Sequence, residues 1–269
     1  MQNKLYTETE PIAGDRSVDT LNSAVVLENV SVCFRLQKEP ASSLKQYAIN
    51  ALQGKAGTRE IWAVNNVSIN VPSGGGFGIV GRNGAGKSTL LKVITRVLRP
   101  TTGRVIVAGK VSSLLGIGAG FHPELSGREN IYLNAAILGM RKDEIDHRFE
   151  RIVDFAELWD FIDVPLRAYS SGMQTRLGFS VATEVEPDIL VVDEALSAGD
   201  GAFREKSLDR MNSFIKKGVT IIFVSHNSGQ VQDVCQKAIW MHKGEVKANG
   251  DVDMVLAKYE EFLKSAKKL

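Results

Sequence analysis

Residues Gly81-Arg82-Asn83-Gly84-Ala85-Gly86-Lys87-Ser88-Thr89 fit the pattern G-x-x-x-x-G-K-[ST], between a strand-like run, Gly76 to Val80, and a helix-like one, Thr89 to Ile94. In that context the segment is a phosphate-binding loop. Its glycines let successive backbone N–H groups turn inward, and the N-terminus of the following helix adds positive potential where an anion would lie. Lys87 is placed to bridge β- and γ-phosphates. Ser88 offers a hydroxyl oxygen to magnesium, which a Cys or Leu could not do. The expected ligand is a magnesium nucleoside triphosphate, held by Gly81, Asn83, Gly84, Ala85, Gly86, Lys87, Ser88 and Thr89. Gly74-Gly75-Gly76, just upstream, leads into a strand and reads as a flexible turn.

Three further groups have residue types suited to phosphate chemistry. Asp193 and Glu194 end the apolar run Ile189 to Val192, at the edge where open α/β sheets place their ligands. Asp193 suits magnesium binding, usually through water, and Glu194 suits deprotonation of an attacking water. The run Val219 to Val224 ends in Ser225-His226-Asn227, which brings an imidazole to the same edge as a phosphate sensor. Tyr169-Ser170-Ser171-Gly172-Met173-Gln174 opens a helix and makes a second anion-ready helix start. Its residues serve either a nucleotide held by another copy or an ordinary cap, for which Ser171 is suited.

The elements that position these groups are legible in outline. Val25 to Phe34, Ile61 to Val71, Arg104 to Val107 and Val111 to Leu115 read as strands; Arg128 to Met140 and Asp143 to Leu158 read as helices. The runs at Ile189 and Val219 are continuous, as in strands buried on both faces of a parallel sheet. Residues 1–23 read as a polar arm, 24–250 as one large domain and 251–269 as a terminal amphipathic helix. Within the domain, residues 35–60 form an inserted segment and about 112–178 a helical subdomain. In the insertion, Leu44, Tyr47, Ala48, Ala51 and Leu52 make a helical stripe that covers the chain's own sheet or meets a partner.

The chain has 269 residues, and 43% of them are hydrophobic, enough for a sizeable core. A formal net charge of +2 supplies no electrostatic footprint for nucleic acid. Cys33 and Cys235 lie far apart without metal-ligand spacing and read as core residues in a reducing compartment. No apolar run spans a membrane and no signal peptide is evident, so any pore must come from another chain.

In their order along the chain, the phosphate loop, Ser170 to Gln174, the Asp193-Glu194 strand, Ser197-Ala198-Gly199-Asp200 and His226 resemble the nucleotide-binding subunit of an ABC transporter. The likeness covers about Val25 to Gly250. It implies a P-loop NTPase α/β fold with a mostly parallel core sheet, an antiparallel β subdomain and a helical subdomain. By the same resemblance, Ser170 to Gln174 match the signature motif, Ser197 to Asp200 the D-loop and His226 the switch histidine. Two copies would close head to tail on two ATP molecules, with Ser171, Gly172, Gln174 and Asp200 reaching the partner's nucleotide. Phe34 matches the aromatic that stacks on adenine, with Trp62 its rival.

Four local features resemble the polysaccharide-export branch, the ATPases for O-antigen, capsule and teichoic acid. They are the insertion before Ile61, the stretch Leu114 to Leu125, Met173 in the signature, and Ser-Ala-Gly-Asp after the acidic strand. That resemblance implies a homodimer at the cytoplasmic face of the cytoplasmic membrane, joined to two permease copies and moving a lipid-linked polysaccharide. The runners-up are an exporter for another lipid or amphipathic cargo and a soluble ABC ATPase acting on nucleic acid. Two departures from the resemblance stand out: Ile117 or Gly118 replaces the usual magnesium-binding glutamine, and the carbohydrate-binding domain appended to some O-antigen exporters is expected to be missing after the last helix.

Overall fold

The computed structural model describes residues 22–37, 58–114, 120–193, 201–225 and 227–266. In chain order its strands are β1 (Ser23–Gln37), β2 (Thr58–Pro72), β3 (Gly76–Val80), β4 (Thr102–Val107), β5 (Val111–Ser113), β6 (Ile189–Val192), β7 (Thr220–Val224), β8 (Lys237–His242) and β9 (Glu245–Asp251). Its helices are α1 (Lys87–Ile94), α2 (Gly127–Ile137), α3 (Lys142–Ala156), α4 (Ser171–Thr183), α5 (Gly201–Lys216), α6 (Ser228–Val234) and α7 (Val252–Ala266).

A three-stranded antiparallel sheet, β2-β1-β4, stands against a six-stranded sheet of order β5-β6-β7-β3-β8-β9. All neighbours from β5 to β8 are parallel, and β9 closes the edge as the antiparallel half of a hairpin with β8. The central strands are apolar throughout because both faces are covered. Ile79, Val191, Ile222 and Val224 point into a core shared with α1 and the antiparallel sheet, including Leu90, Leu91, Val25 and Ile69. Val80, Leu190, Val192 and Phe223 point the other way, onto Phe203 and Phe214 of α5, Val231 of α6 and Leu256 of α7.

A third apolar interior belongs to α2, α3 and α4, built on Ile131, Phe149, Ile152, Leu177 and Val181. Ser126 caps α2 by accepting from Glu129 N, and the Glu129 carboxylate accepts from Ser126 N, a reciprocal capping box. The Ser126 backbone N–H and, after it, the Ser126 hydroxyl donate to the Glu129 carboxylate and hold that carboxyl below its ordinary range. Helix α4 belongs to two interiors at once: Leu177 and Val181 face the helical cluster, while Phe179 and Ala182 face the sheet.

Two expectations change. Gly76 is not part of a loose turn: its N–H donates to Gln236 Oε1, and a Cβ there would overlap the Val234 carbonyl, so the glycine is what lets α6 lie against β3. Cys235 is a core residue, and burial pushes its thiol well above the ordinary range, but Cys33 is only partly buried. Helices α5 and α6 and the β8–β9 hairpin carry no sequence assignment above; weak periodicity and short length hide them. The Leu44–Leu52 stripe and the 1–21 portion of the polar arm lie outside the described residues.

Candidate functional site

The parallel register brings three strand ends to one edge. Ile79 of β3 pairs with Val224 of β7, and Phe223 of β7 pairs with Val192 of β6. Gly81, Ser225 and Asp193 therefore leave the sheet side by side. Above them lies a cavity of about 470 Å³, lined by Asn83 to Thr89, Ala63 and Asp193. The loop and the first acidic residue, more than a hundred positions apart in the chain, meet in one space.

The loop's shape is braced from behind. Gly81, Gly84 and Gly86 have φ of 152°, 79° and 101°. A Cβ on Gly81 would overlap the Met241 carbonyl and one on Gly86 the Ala63 carbonyl, whereas Gly84 has open space around it. Gly244, in the β8–β9 turn, donates its N–H to Ala85 O at 2.9 Å and accepts from Asn65 N at 2.8 Å. Ala63, Met241 and Gly244 thus form the back wall of the loop. Sequence reading missed them; the only local signal is the Lys243-Gly244 turn dipeptide.

The cavity's donors suit an oxyanion. Helix α1 starts at Gly86 with no side-chain cap, so its first-turn N–H groups are not claimed by a capping residue. Lys87 is buried, and its ammonium donates to Gly81 O at 2.6 Å and Arg82 O at 3.3 Å. An uncapped helix start beside a buried ammonium fits a phosphate chain. Ser88 and Asp193 line the same cavity with oxygen donors, the set that magnesium prefers when phosphates and water complete its shell. Among the described residues no group of three or more His, Cys, Asp and Glu could hold a metal by itself.

The second helix start is built differently. Ser170, not Ser171, is the cap of α4: it has extended backbone, and its side chain accepts from Met173 N at 3.2 Å. Ser171 is the first helical residue, with an exposed side chain, and Gly172 follows it half-buried. Gln174 donates to Leu166 O of its own chain at 3.4 Å. The turn is anchored by Tyr169, which is buried and donates its hydroxyl to Phe161 O at 2.7 Å. Burial pushes the Tyr169 phenol up to about 12.

The ABC transporter family profile matches residues 64–197. The O-antigen export system ATP-binding protein RfbB of Klebsiella pneumoniae is 48% identical over 205 residues, covering 76% of this chain and 83% of that protein. The teichoic acids export ATP-binding protein TagH of Bacillus anthracis is 42% identical over 91% of this chain and 44% of its own length. The chain belongs to the ABC transporter ATPase family. Among solved structures, the dimeric ATP-binding cassette MJ0796 bound to ADP and Pi shares the fold, with a TM-score of 0.69 at 23% identity over 85% of this chain and 98% of that one.

Within this ABC ATPase, neither candidate for the adenine-stacking aromatic is a core residue: Phe34 is 40% and Trp62 45% exposed. Phe34 pairs with Ile61 and Cys33 with Trp62, so the two rings project from opposite faces of the β1–β2 ribbon. Trp62 directly precedes Ala63 of the cavity wall. Glu194, Ser197 to Asp200, His226, Ile117 and Gly118 lie outside the described residues. Among the described residues no helix is long and apolar enough to cross a membrane.

Proposed function

We propose that this ATPase powers export of a lipid-linked polysaccharide, O-antigen-like or of another cell-wall type, through two copies of a membrane permease. The observation that carries the enzymatic half is the convergence of Lys87, Ser88 and Asp193 on one cavity beside an uncapped helix start. The cargo rests on the export names of the relatives from Klebsiella and Bacillus. The ATPase sits at the cytoplasmic face of the membrane, held there by the permease.

The working unit is a homodimer. In each copy the loop N–H groups and Lys87 hold the phosphates, and Ser88 and Asp193 would hold magnesium. The ion, when bound, neutralises charge on the phosphate oxygens. Glu194 takes the proton of the attacking water, and His226 senses the terminal phosphate from the next strand end. Ser171, Gly172, Gln174 and Asp200 of one copy complete the nucleotide site of the other. Phe34 stacks on the adenine, with Trp62 the alternative that substitution of each ring would separate.

Glu194→Gln tests the chemistry. It should keep ATP affinity and accumulate a closed dimer by light scattering, while turnover falls by at least about a hundredfold. Ordinary hydrolysis by that variant would remove Glu194 from the mechanism. The cargo is tested in proteoliposomes with the permease, where lipid-linked glycan should stimulate ATP turnover and the bare lipid carrier should not.

A further inference from the structure

Between the sheet and α6, where Val231 and Val234 supply an apolar interior, two polar side chains are buried: Ser225 is 1% and Gln230 7% exposed. A third group joins them from α5. Arg204 can only donate, so the Gln230 amide turns its oxygen to it and accepts a fork from Nε at 3.1 Å and Nη2 at 3.0 Å. The Gln230 nitrogen then donates to Ser225 Oγ at 2.9 Å. Ser225 Oγ also accepts from Asn227 N at 3.1 Å, and Asn227 caps α6 by accepting from Gly229 N and Gln230 N. Both side-chain polar atoms of Gln230 have a partner, in a place where leucine would fill similar space without needing any.

The arrangement joins two stretches of chain that matter for turnover. Ser225 and Asn227 flank position 226, and the Ser225–Asn227 hydrogen bond spans it. Arg204 lies in the first turn of α5, four residues beyond Asp200. We propose that Gln230 is a positioning residue: the Arg204–Gln230–Ser225 relay sets the end of β7 against the start of α5. Ser225, which leads into position 226, and the first turn of α5, which follows Asp200, are thereby held at one spacing, so that the chain entering one copy's site and the chain leading from the residues offered to the other are registered together. This rests on the reading above that both positions meet nucleotide.

The test is steady-state ATP hydrolysis by the full-length protein with its permease, with KM and melting temperature measured on the same samples. In Gln230→Leu, kcat should fall roughly tenfold with KM for ATP within about twofold, and Gln230→Glu should recover most of the loss because a carboxylate still accepts the arginine fork. Arg204→Met should reproduce the defect, and the double variant Arg204→Met/Gln230→Leu should be no worse than either alone. Arg204 is exposed, so its variant keeps the test open if Gln230→Leu fails to fold. Turnover within about twofold of the parent in Gln230→Leu or Arg204→Met, or effects that multiply in the double variant, would overturn the relay. His226→Ala runs alongside. A fully active His226→Ala discards the reading of that histidine, whereas an inactive one beside a normal Gln230→Leu discards the relay alone.

Discussion

The two helix starts, α1 and α4, are built on opposite principles. At α1 the cap is a glycine with φ of 101° that offers no capping side chain, and a lysine is buried at the entrance. At α4 the cap is a serine that satisfies Met173 N from within, and the next serine is left exposed. A helix start with no capping side chain, opening onto a cavity, suits an anionic ligand of its own, and α1 stands in such a cavity. A start already capped, with a spare hydroxyl and a glycine on its surface, can lend contacts to a ligand but cannot hold one alone. That asymmetry fits the proposal of a nucleotide shared between two copies.

The sharpest way to break this contrast is at α1. Lys87→Ala should abolish measurable ATP binding and cut turnover by at least about a hundredfold, read by nucleotide titration and phosphate release. Gly172→Asp should act at the other start only. By placing a carboxylate where the partner's phosphates would lie, it should prevent the ATP-dependent dimer in light scattering and lower turnover about tenfold or more. ATP affinity of the monomer should stay within about twofold. Loss of affinity in the monomer would show that α4 serves its own chain's nucleotide.

Smaller effects refine the α4 side. Ser170→Ala removes the cap and should cost about 1 kcal/mol, seen as a lower denaturation midpoint with unchanged nucleotide affinity. Ser171→Ala should leave stability unchanged, the reverse of what its assignment as the cap would require. Tyr169 gives a pH signature. Its folded value of about 12 lies above the ordinary phenol near 10, so its contribution is complete below the lower value and fades as pH rises through the higher. Tyr169→Phe should cost about 0.5–1.5 kcal/mol at neutral pH and flatten the alkaline decline in melting temperature over that window.

The parts that sequence reading recovered share a physical cause. Strands β3, β6 and β7 are apolar on both sides, and the motifs follow them directly, so a continuous run announces both the strand and the edge where its chemistry sits. The cap at Ser170 was misassigned by one residue because two adjacent serines are equally able to cap; buried Tyr169, a tertiary feature, decides between them. Helix α5 hid because Ser207 occupies a buried position among Phe203, Met211 and Phe214, interrupting its apolar stripe. The back wall of the loop was invisible for another reason. Ala63, Met241 and Gly244 act through main-chain atoms and close packing, which leave no mark on residue type beyond the Lys243-Gly244 turn.

Helix α4 serves as a common beam for two interiors, with Leu177 and Val181 seated in one and Phe179 and Ala182 in the other. Ser171 lies eight residues from Phe179, about 12 Å along the axis, so a tilt of roughly 5° at the buried end would swing the tip by about 1 Å. Displacements of that size at a reacting centre cost on the order of a hundredfold in rate. If Ser171 serves the partner's nucleotide as proposed, volume changes deep in either interior should surface as kinetic defects in the opposing subunit, and compensating substitutions should be found across the beam instead of around the nucleotide.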